Sequence, residues 1–237
     1  MKKSLLAIVP ARKGSKGVKG KNVREINGKK LISYTVEAAL KSKFISKLII
    51  STDCDDVISS CTNLGVNVEA KRPDYLCTED ALTVDVLNYE IQKLHKKNEF
   101  FDYLLLLQPT SPLRTTEDID NAFELMQRND CDSLISVTNV NGNHPLRMKL
   151  IRDKYLFNYI ETGNEDMRPR QILPKVYIRN GAIYLAKMSY FQNNISFGSE
   201  KCIAYEMPED RSINIDSEKD LIILDYYIKK SNKNNTN

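Results

Sequence analysis

Short apolar runs alternate with stretches of helical periodicity up to about residue 140 of this chain. Several of the apolar runs are continuous, as expected for strands that helices cover on both faces of a sheet. They predict strands at Leu5–Val9, Leu48–Ile50, Val66–Glu69, Tyr103–Leu107 and Ser133–Val137. The periodic stretches predict helices at Ile32–Lys41, Asp55–Leu64, Thr83–Lys97 and Thr116–Arg128. This alternation predicts an α/β fold with a mostly parallel sheet.

The alternation stops after about residue 140, where the sequence becomes polar and rich in Asn, Gly and Pro. Within this part of the chain, Met148–Ile160 predicts a hairpin. We interpret residues 140–178 as an inserted segment, either a lid or an oligomer contact, of a single domain that spans residues 1–237. Regular patterns then return, with a strand predicted at Gly181–Lys187 and an amphipathic helix predicted at Ser217–Lys230.

Charge and cysteine content narrow the class of protein. The net charge of +4, from 35 basic and 31 acidic residues, is too small and too dispersed to indicate a nucleic-acid partner. The five cysteines are odd in number and form no CxxC pair, so we expect reduced thiols rather than disulfides or a zinc site. The first apolar run, at Leu5–Pro10, is too short for a secretory signal or a membrane helix. We therefore expect a cytoplasmic protein without a membrane partner.

The densest basic cluster follows the first predicted strand, which ends at Pro10. Residues 11–22 contain three glycines, one serine, four lysines and one arginine. Ligands of open α/β sheets bind at this carboxyl edge of the strands. Glycines let backbone N–H groups approach phosphate oxygens closely, and the cations neutralise the phosphate charge. Neither GxxxxGK[ST] nor GxGxxG occurs, so the loop predicts a polyphosphate site of another type.

The segment from Ile8 to Asn22 resembles the signature of the CMP-sialic acid synthetases, also called acylneuraminate cytidylyltransferases. Further agreement with that family, within a resemblance over about residues 5–225, lies at Ser51-Thr52-Asp53, Leu107–Arg114 and Asn180–Tyr184. The resemblance implies a Rossmann-like three-layer nucleotidyltransferase fold, a homodimer and dependence on Mg²⁺. It also implies transfer of CMP from CTP to the anomeric hydroxyl of an acidic nine-carbon sugar, with release of pyrophosphate, in the synthesis of a surface glycan.

The resemblance further implies which residues bind the substrates. The implied nucleotide-binding residues are Arg12, Ser15, Lys16, Gly17, Lys21, Asn22, Arg72 and Thr83. The implied sugar-binding residues are Gln108, Arg147, Arg170 and Tyr184. The residues implied in catalysis are Arg12, Lys16, Lys21 and Asp216. Arginines suit an acidic sugar because a guanidinium grips a carboxylate at two points.

Two positions depart from the family pattern. Ile178 stands just before the N-G-A-I-Y segment, where many members have an arginine, and this change favours a related acid such as legionaminic acid. Asn214 stands where many members have an aspartate two residues before Asp216. The alternation over Ser212–Asp216 predicts that Asn214 and Asp216 share one face of a strand. We expect Asp216 to be the main metal ligand and Asn214 a weaker one, because an amide oxygen binds Mg²⁺ less strongly than a carboxylate.

Several alternatives stay open at this point. Cytidylyltransferases for pseudaminic acid or Kdo share the general pattern, although the Kdo enzymes look different after the first arginine and around Gln108–Arg114. A non-catalytic sugar-nucleotide binding module would keep the basic loop but lose the metal ligand, and Asp216 argues against it. A glycosyltransferase would show a DxD motif, but Asp53-Cys54-Asp55 lies too early in the chain. Of the two histidines, His95 is expected in solvent, and His144 resembles a family histidine near the sugar.

Overall fold

The molecule is built around one six-stranded sheet; the structure is a computed structural model that describes residues 3–14, 17–163 and 165–234. Its strands are β1 (Leu5–Pro10), β2 (Glu25–Ile26), β3 (Lys29–Lys30), β4 (Ile45–Ser51), β5 (Tyr103–Leu106), β6 (Ser133–Asn139), β7 (Lys149–Arg152), β8 (Tyr155–Asn158), β9 (Tyr177–Lys187) and β10 (Cys202–Glu206). Its helices are α1 (Leu31–Leu40), α2 (Asp55–Asn63), α3 (Thr83–His95), α4 (Thr116–Arg128), α5 (Met188–Asn194) and α6 (Glu218–Asn234). Among the described residues, no helix is long and apolar enough to span a bilayer.

The main sheet has the strand order β10-β6-β9-β5-β1-β4. β9 runs antiparallel to its neighbours β5 and β6, and the remaining neighbours pair in parallel. β2 and β3 form a separate two-stranded sheet, as do β7 and β8. The prediction of an α/β fold with a mostly parallel sheet is therefore confirmed.

Strand β1 is buried on both faces, which explains its continuous apolar sequence. Leu5, Ala7 and Val9 pack in one cluster with residues of α1, α2 and α4. Leu6 and Ile8 pack in a second cluster with residues of α3 and α5. Helices thus cover both faces of the sheet and give the three layers that the resemblance implied.

Some sequence predictions were wrong or incomplete. Residues 66–69 form no strand; Val66 and Val68 pack against the core without joining a sheet, and Glu69 pairs with Lys97. The apolar pattern there reflects packing of these side chains on the core, and it does not require backbone hydrogen bonds to a neighbouring strand. Strand β10 and helix α5 were not predicted. β10 is a half-exposed edge strand, so its sequence lacks the continuous apolar run of the inner strands.

The inserted segment joins β6 to β9, and its predicted hairpin is confirmed as β7 and β8. At the same edge of the sheet from which this segment leaves, β1, β4 and β5 present their carboxyl ends side by side, since β6 and these three strands all run in parallel. Pro10 pairs with Ser51, and Leu107 donates its N–H to Ile8 O at 3.1 Å. The predicted loops at residues 11–22, 51–53 and 108–114 therefore start from one edge of the sheet.

Candidate active site

A polar cleft of about 360 Å³ opens at this edge of the sheet. The predicted site residues that line it are Arg12, Gly17, Lys21, Asn22, Arg72, Thr83, Gln108 and Asp216. Residues from four separate stretches of the sequence thus meet in one cleft. Two other predicted nucleotide-binding residues, Ser15 and Lys16, lie outside the described residues.

The S-T-D segment after β4 fixes the start of the basic loop. Thr52 Oγ1 donates to Ala11 O at 2.6 Å. Asp53 Oδ1 accepts the backbone N–H of Lys13 at 2.7 Å. The side chains of two consecutive residues therefore hold the loop backbone where it leaves β1, and the loop enters the cleft from a fixed point.

Arg12 connects the basic loop with the opposite wall of the cleft. Its Nη1 donates to Thr78 O at 3.0 Å and to Cys77 O at 3.4 Å. Asn22 Nδ2 donates to Arg12 O at 2.9 Å, which closes the loop on itself. The Arg12 guanidinium at the cleft is thus anchored to the backbone of residues 77–78.

Lys21 and Asp216 form an ion pair across the cleft floor, with Nζ 3.1 Å from Oδ1. Lys21 is buried and also donates to Ile215 O, whereas the Asp216 side chain is 70% exposed. Asn214 Nδ2 donates to Asp216 Oδ2. The two side chains therefore share a side as predicted, but residues 212–216 form no strand, so that expectation was wrong.

Gly17 is required by a close backbone approach. A Cβ atom at this position would lie 1.9 Å from Asp216 O, closer than any side chain allows. Asp216 is held from the other side as well, because Asp220 Oδ2 accepts the N–H groups of Asp216 and Ser217 at 3.0 and 2.7 Å. The basic loop and the start of α6 thus position one carboxylate at the cleft.

Asp216 and Asn214 are the oxygen-bearing residues that the sequence offers to a metal ion. With Nδ2 of Asn214 directed at the Asp216 carboxylate, Asn214 supports that carboxylate and directs its own Oδ1 elsewhere. Among the described residues, no group of three or more His, Cys, Asp or Glu side chains is arranged to hold a metal. One carboxylate beside a basic loop fits Mg²⁺, which in proteins often binds through one or two carboxylates plus substrate phosphates.

Arg72 forms part of the cleft wall and is buried, with 5% exposure. Its Nε donates to Ser51 Oγ at 3.2 Å, Nη1 donates to Leu76 O at 3.4 Å, and Nη2 donates to Ser51 O. Burial lowers the pKa of the Arg72 guanidinium. Thr83 lines the same wall as the first residue of α3; the helix cap is Leu82, so Thr83 is not a capping residue.

Gln108 lies where a bend of β9 approaches the loop after β5. Gly181 has φ +76°, and a Cβ atom there would lie 2.9 Å from Gln108 Oε1 and 3.1 Å from Ser111 Oγ. Ser111 Oγ donates to Asn180 O at 3.1 Å. The N-G pair of the N-G-A-I-Y segment therefore packs against the Gln108 side of the cleft.

Arg114 supports the same turn from behind. It is 2% exposed, and its Nη1 donates to Ala182 O at 2.7 Å and to Gln108 O at 3.4 Å. Its Nε and Nη2 have no hydrogen-bond partner among the described residues, and burial lowers its pKa to about 9. Arg114 thus ties the Gln108 turn to β9 and does not line the cleft.

The remaining predicted sugar-binding residues do not line this cleft. The Tyr184 ring packs against Phe197 with centroids 5.7 Å apart, and burial raises its pKa. Arg147 is exposed, and its Nη2 donates to Arg168 O at 3.0 Å. Arg170 is exposed in a single helical turn of the inserted segment.

His144 is buried at the base of the inserted segment. Its Nδ1 accepts the N–H of Leu146 at 3.2 Å, and its Nε2 lies 3.1 Å from Pro174 O. Since Nδ1 is the acceptor, Nε2 carries the proton and donates to the carbonyl. Both ring nitrogens therefore hold backbone of the inserted segment. His95 is half-buried and stacks near Phe100, with ring centroids 5.0 Å apart.

Sequence reasoning missed the supporting role of Asn180. Its Nδ2 donates to Ser212 Oγ at 2.9 Å, and its Oδ1 accepts from Ser136 Oγ at 2.6 Å. The side chain thereby joins β9 to β6 and to the segment that leads to Asp216. The asparagine directly before a glycine, at the start of the apolar run of β9, was the available signal, since such a pair marks a bend.

The chain matches the cytidylyltransferase family over residues 6–233. It belongs to that family. The cytidylyltransferase is 31% identical to the post-translational flagellin modification protein B of Campylobacter coli, with 96% of each chain covered. It is 34% identical to the CMP-N,N'-diacetyllegionaminic acid synthase of Legionella pneumophila over 83% of each chain. It is 31% identical to the N-acylneuraminate cytidylyltransferase of Streptococcus agalactiae serotype V over 96% of its own length, but it spans 56% of that relative.

The cytidylyltransferase also shares its fold with solved structures. The CMP:2-keto-3-deoxy-manno-octonic acid synthetase complexed with CTP superposes with a TM-score of 0.69 at 16% identity, covering 96% of this chain and 99% of that one. Family membership and fold together identify this protein as a nucleotidyltransferase of the Rossmann-like type.

Proposed function

We propose that this cytidylyltransferase transfers CMP from CTP to the anomeric hydroxyl of a sialic-acid-like nonulosonic acid and releases pyrophosphate. We favour N-acetylneuraminic and N,N'-diacetyllegionaminic acid as acceptors, because relatives named for both kinds of acid align with most of this chain. The observation that supports the proposal most strongly is that the basic loop, Gln108 and Asp216 line the same cleft. The reaction serves surface-glycan synthesis in the cytoplasm, where the five free cysteines would stay reduced.

The nucleotide is assigned to the end of the cleft formed by the basic loop. Arg12 and Lys21 supply positive charge there, and Gly17 allows close backbone approach. A triphosphate needs donors and cations at this density. Arg72 and Thr83, on the facing wall, border the cytidine, and Ser15 and Lys16 complete the phosphate contacts in this proposal.

Asp216 is the proposed Mg²⁺ ligand, with Asn214 as its support. Bound Mg²⁺ supplies Lewis-acid and templating chemistry at phosphate oxygens. Asp216 suits the role because its carboxylate is exposed at the cleft and its backbone is fixed by Gly17 and Asp220. Lys21, paired with the same carboxylate, is assigned to stabilise negative charge on the transferred phosphate.

In the proposed reaction, the anomeric oxygen forms a bond to the α-phosphorus of CTP. The bond from that phosphorus to the bridging oxygen of pyrophosphate breaks, and the hydroxyl proton passes to solvent. Arg12 and Lys16 stabilise the charge that builds on the leaving pyrophosphate, and Gln108 orients the sugar with an amide donor and acceptor. The chain contributes mainly positioning and charge stabilisation, as in other phosphoryl-group transfers.

We also propose a homodimer that forms through the inserted segment of residues 140–178. Large apolar side chains are exposed there, including Ile151 at 76%, Leu156 at 65% and Met167 at 82%. Exposed apolar patches of this kind mark protein–protein contacts. Since Arg147 and Arg170 lie outside the cleft of their own chain, they would reach a sugar only in the cleft of a second copy.

Pyrophosphate release tests the proposed reaction directly. The protein is assayed with CTP, UTP, GTP and ATP against N-acetylneuraminic, legionaminic and pseudaminic acids and Kdo, with Mg²⁺ or with a chelator. We expect turnover with CTP and one of the first two acids, loss of turnover with the chelator, and recovery on addition of Mg²⁺. A preference for pseudaminic acid or Kdo, or for another nucleotide, would overturn the substrate assignment.

The basic loop is tested with Arg12→Ala. We expect turnover to fall by roughly a hundredfold or more, in line with loss of one charge-stabilising donor. Lys13→Ala is the matched control, because Lys13 is the adjacent exposed cation and does not line the cleft. A near-normal rate for Arg12→Ala would remove Arg12 from the active site.

A further inference from the structure

A buried polar chain lies directly behind the Arg72 wall of the cleft. Arg72 Nε donates to Ser51 Oγ at 3.2 Å, and Ser51 Oγ donates in turn to Glu90 Oε1 at 2.8 Å. Exposure is 5% for Arg72, 1% for Ser51 and 2% for Glu90. One hydroxyl therefore links a buried cation to a buried carboxylate.

The arrangement balances two charges that burial would otherwise penalise. A buried arginine or glutamate is costly unless an opposite charge and hydrogen bonds compensate it. Glu90 has a second partner, Lys93, whose Nζ lies 3.1 Å from Oε2 and which is 29% exposed. Arg72 directs its three nitrogen atoms to Ser51 and Leu76, so the Ser51 hydroxyl is its only side-chain partner among these contacts.

Helix α3 connects the same chain with the cleft lining. Thr83 and Val86 line the cleft, and Glu90 follows at the spacing that puts all three on one helix face. The carboxylate that supports Arg72 is therefore carried by the helix that forms the neighbouring part of the wall. A change at Glu90 or Ser51 alters the position of Arg72 without touching a ligand in the cleft.

We propose that Ser51 and Glu90 are positioning residues for CTP that act through Arg72. This inference rests on the proposed function, because it assigns the Arg72 wall to the nucleotide. Three of the five guanidinium N–H groups of Arg72 donate to Ser51 and Leu76 in the cleft wall. These bonds, supported by Glu90 behind Ser51, fix the plane of the guanidinium so that its other N–H groups can face a nucleotide acceptor. Neither residue contacts the sugar side of the cleft, so the effect is confined to CTP.

The test compares Ser51→Ala, Glu90→Gln and Lys93→Ala in the full-length protein. We expect Ser51→Ala and Glu90→Gln to weaken CTP binding and raise the KM for CTP about tenfold, the loss expected for one hydrogen bond to a charged group. The KM for the sugar and kcat should stay within about twofold, because neither residue contacts the sugar side of the cleft. Lys93→Ala removes the other partner of Glu90 and should leave CTP binding unchanged.

A double-mutant cycle shows whether the two residues act through Arg72. Arg72→Lys keeps the charge and loses the Nε contact, so Ser51→Ala should add no further loss of CTP affinity in that background. Additive losses, or equal losses for CTP and sugar, would overturn the inference. So would wild-type CTP affinity in Ser51→Ala, the variant least disturbed in fold, when the wild-type protein turns over CTP. A wild-type protein that neither binds nor turns over CTP would overturn the proposed function itself.

Discussion

The cleft and the inserted segment are built in opposite ways. Around the cleft, polar side chains reach across to backbone of distant segments, as Thr52 does to Ala11 and Lys21 does to Ile215. In the inserted segment, most polar contacts stay local: Arg147 donates to the carbonyl of Arg168, and the ion pairs of Lys149 and Arg168 lie within residues 140–178. A contact that leaves the segment runs from Asn141 Nδ2 to Glu209 Oε2 at 2.7 Å. The large apolar side chains of the segment are exposed instead.

In the proposed homodimer, one chain is sufficient to organise the cleft, whereas the inserted segment is covered only by the second copy. Preorganised donors cost no rearrangement when charge develops, so the cleft benefits from cross-links within the chain. An exposed apolar hairpin gains free energy only when another surface covers it. Substitutions in the two regions should therefore affect different properties, and this expectation orders the predictions below.

The largest effect is expected at Gly17. Gly17→Ala would push a Cβ atom to 1.9 Å from Asp216 O, so the basic loop must move away from the carboxylate. We expect kcat/KM to fall about a hundredfold, the usual cost of a misplacement of about 1 Å at a reacting centre. Steady-state kinetics measures the loss, and circular dichroism checks that the fold persists.

Gly14→Ala provides the matched control for Gly17→Ala. Gly14 lies in the same loop, and none of the described residues has an atom within 4 Å of a Cβ atom at that position. Because Gly14 also lines the cleft, some loss of activity is expected, but it should be much smaller than the loss in Gly17→Ala. Equal losses in the two variants would mean that loop flexibility, and not the contact with Asp216, limits the reaction.

A substitution in the inserted segment should weaken the proposed dimer. Ile151→Glu places a charge on the exposed apolar hairpin. We expect the dimer dissociation constant to rise tenfold or more, because an isoleucine buried at an interface contributes roughly 1.5–3 kcal/mol. Sedimentation equilibrium measures the change. Lys154→Glu, at the exposed turn between β7 and β8, is the control. An unchanged dimer, or a wild-type monomer, would contradict the proposed assembly through this surface.

The sequence predicted the sheet and the cleft well, for a physical reason. Strand β1 is buried on both faces, so its sequence is continuously apolar, and the carboxyl ends of parallel strands must meet at one edge. Residues predicted near those ends, such as Arg12 and Gln108, therefore came together in one cleft. Predictions for Arg147 and Arg170 depend on how the inserted segment lies, and local sequence patterns carry no information on that placement.

Hydrogen bonds between side chains that are distant in the sequence, such as the bond from Ser51 to Glu90, could not be predicted either. Ser51 and Glu90 are thirty-nine positions apart and belong to a strand and a helix, so no periodicity relates them. The segment at residues 66–69 shows the converse problem, because its apolar residues pack on the core without strand pairing. Periodicity reports which residues are buried, whereas a hydrogen-bond partner depends on tertiary arrangement.

The smallest effect is expected at Gly181, where two costs add. Its φ of +76° is unfavourable for any residue with a Cβ, by roughly 1–2 kcal/mol, and its Cβ atom would press on Gln108 Oε1 at 2.9 Å. Gly28 has nearly the same φ, +77°, and in the described part of the chain nothing lies within 4 Å of a Cβ atom there. Gly28→Ala therefore isolates the backbone cost from the contact with Gln108.

Gly28→Ala should lose about 1–2 kcal/mol of unfolding free energy, measured by urea denaturation, and Gly181→Ala should lose more, because the contact with Gln108 adds to the backbone cost. Gly181→Ala alone should also raise the KM for the sugar, by several-fold, because displacement of Gln108 costs about one hydrogen bond to the acceptor. Its KM for CTP should not change, since Gln108 lies at the sugar end of the proposed complex. An increase in the KM for CTP instead would mean that Gln108 contacts the nucleotide. The assignment of CTP to the basic-loop end of the cleft and of the sugar to the Gln108 end would then have to be reversed.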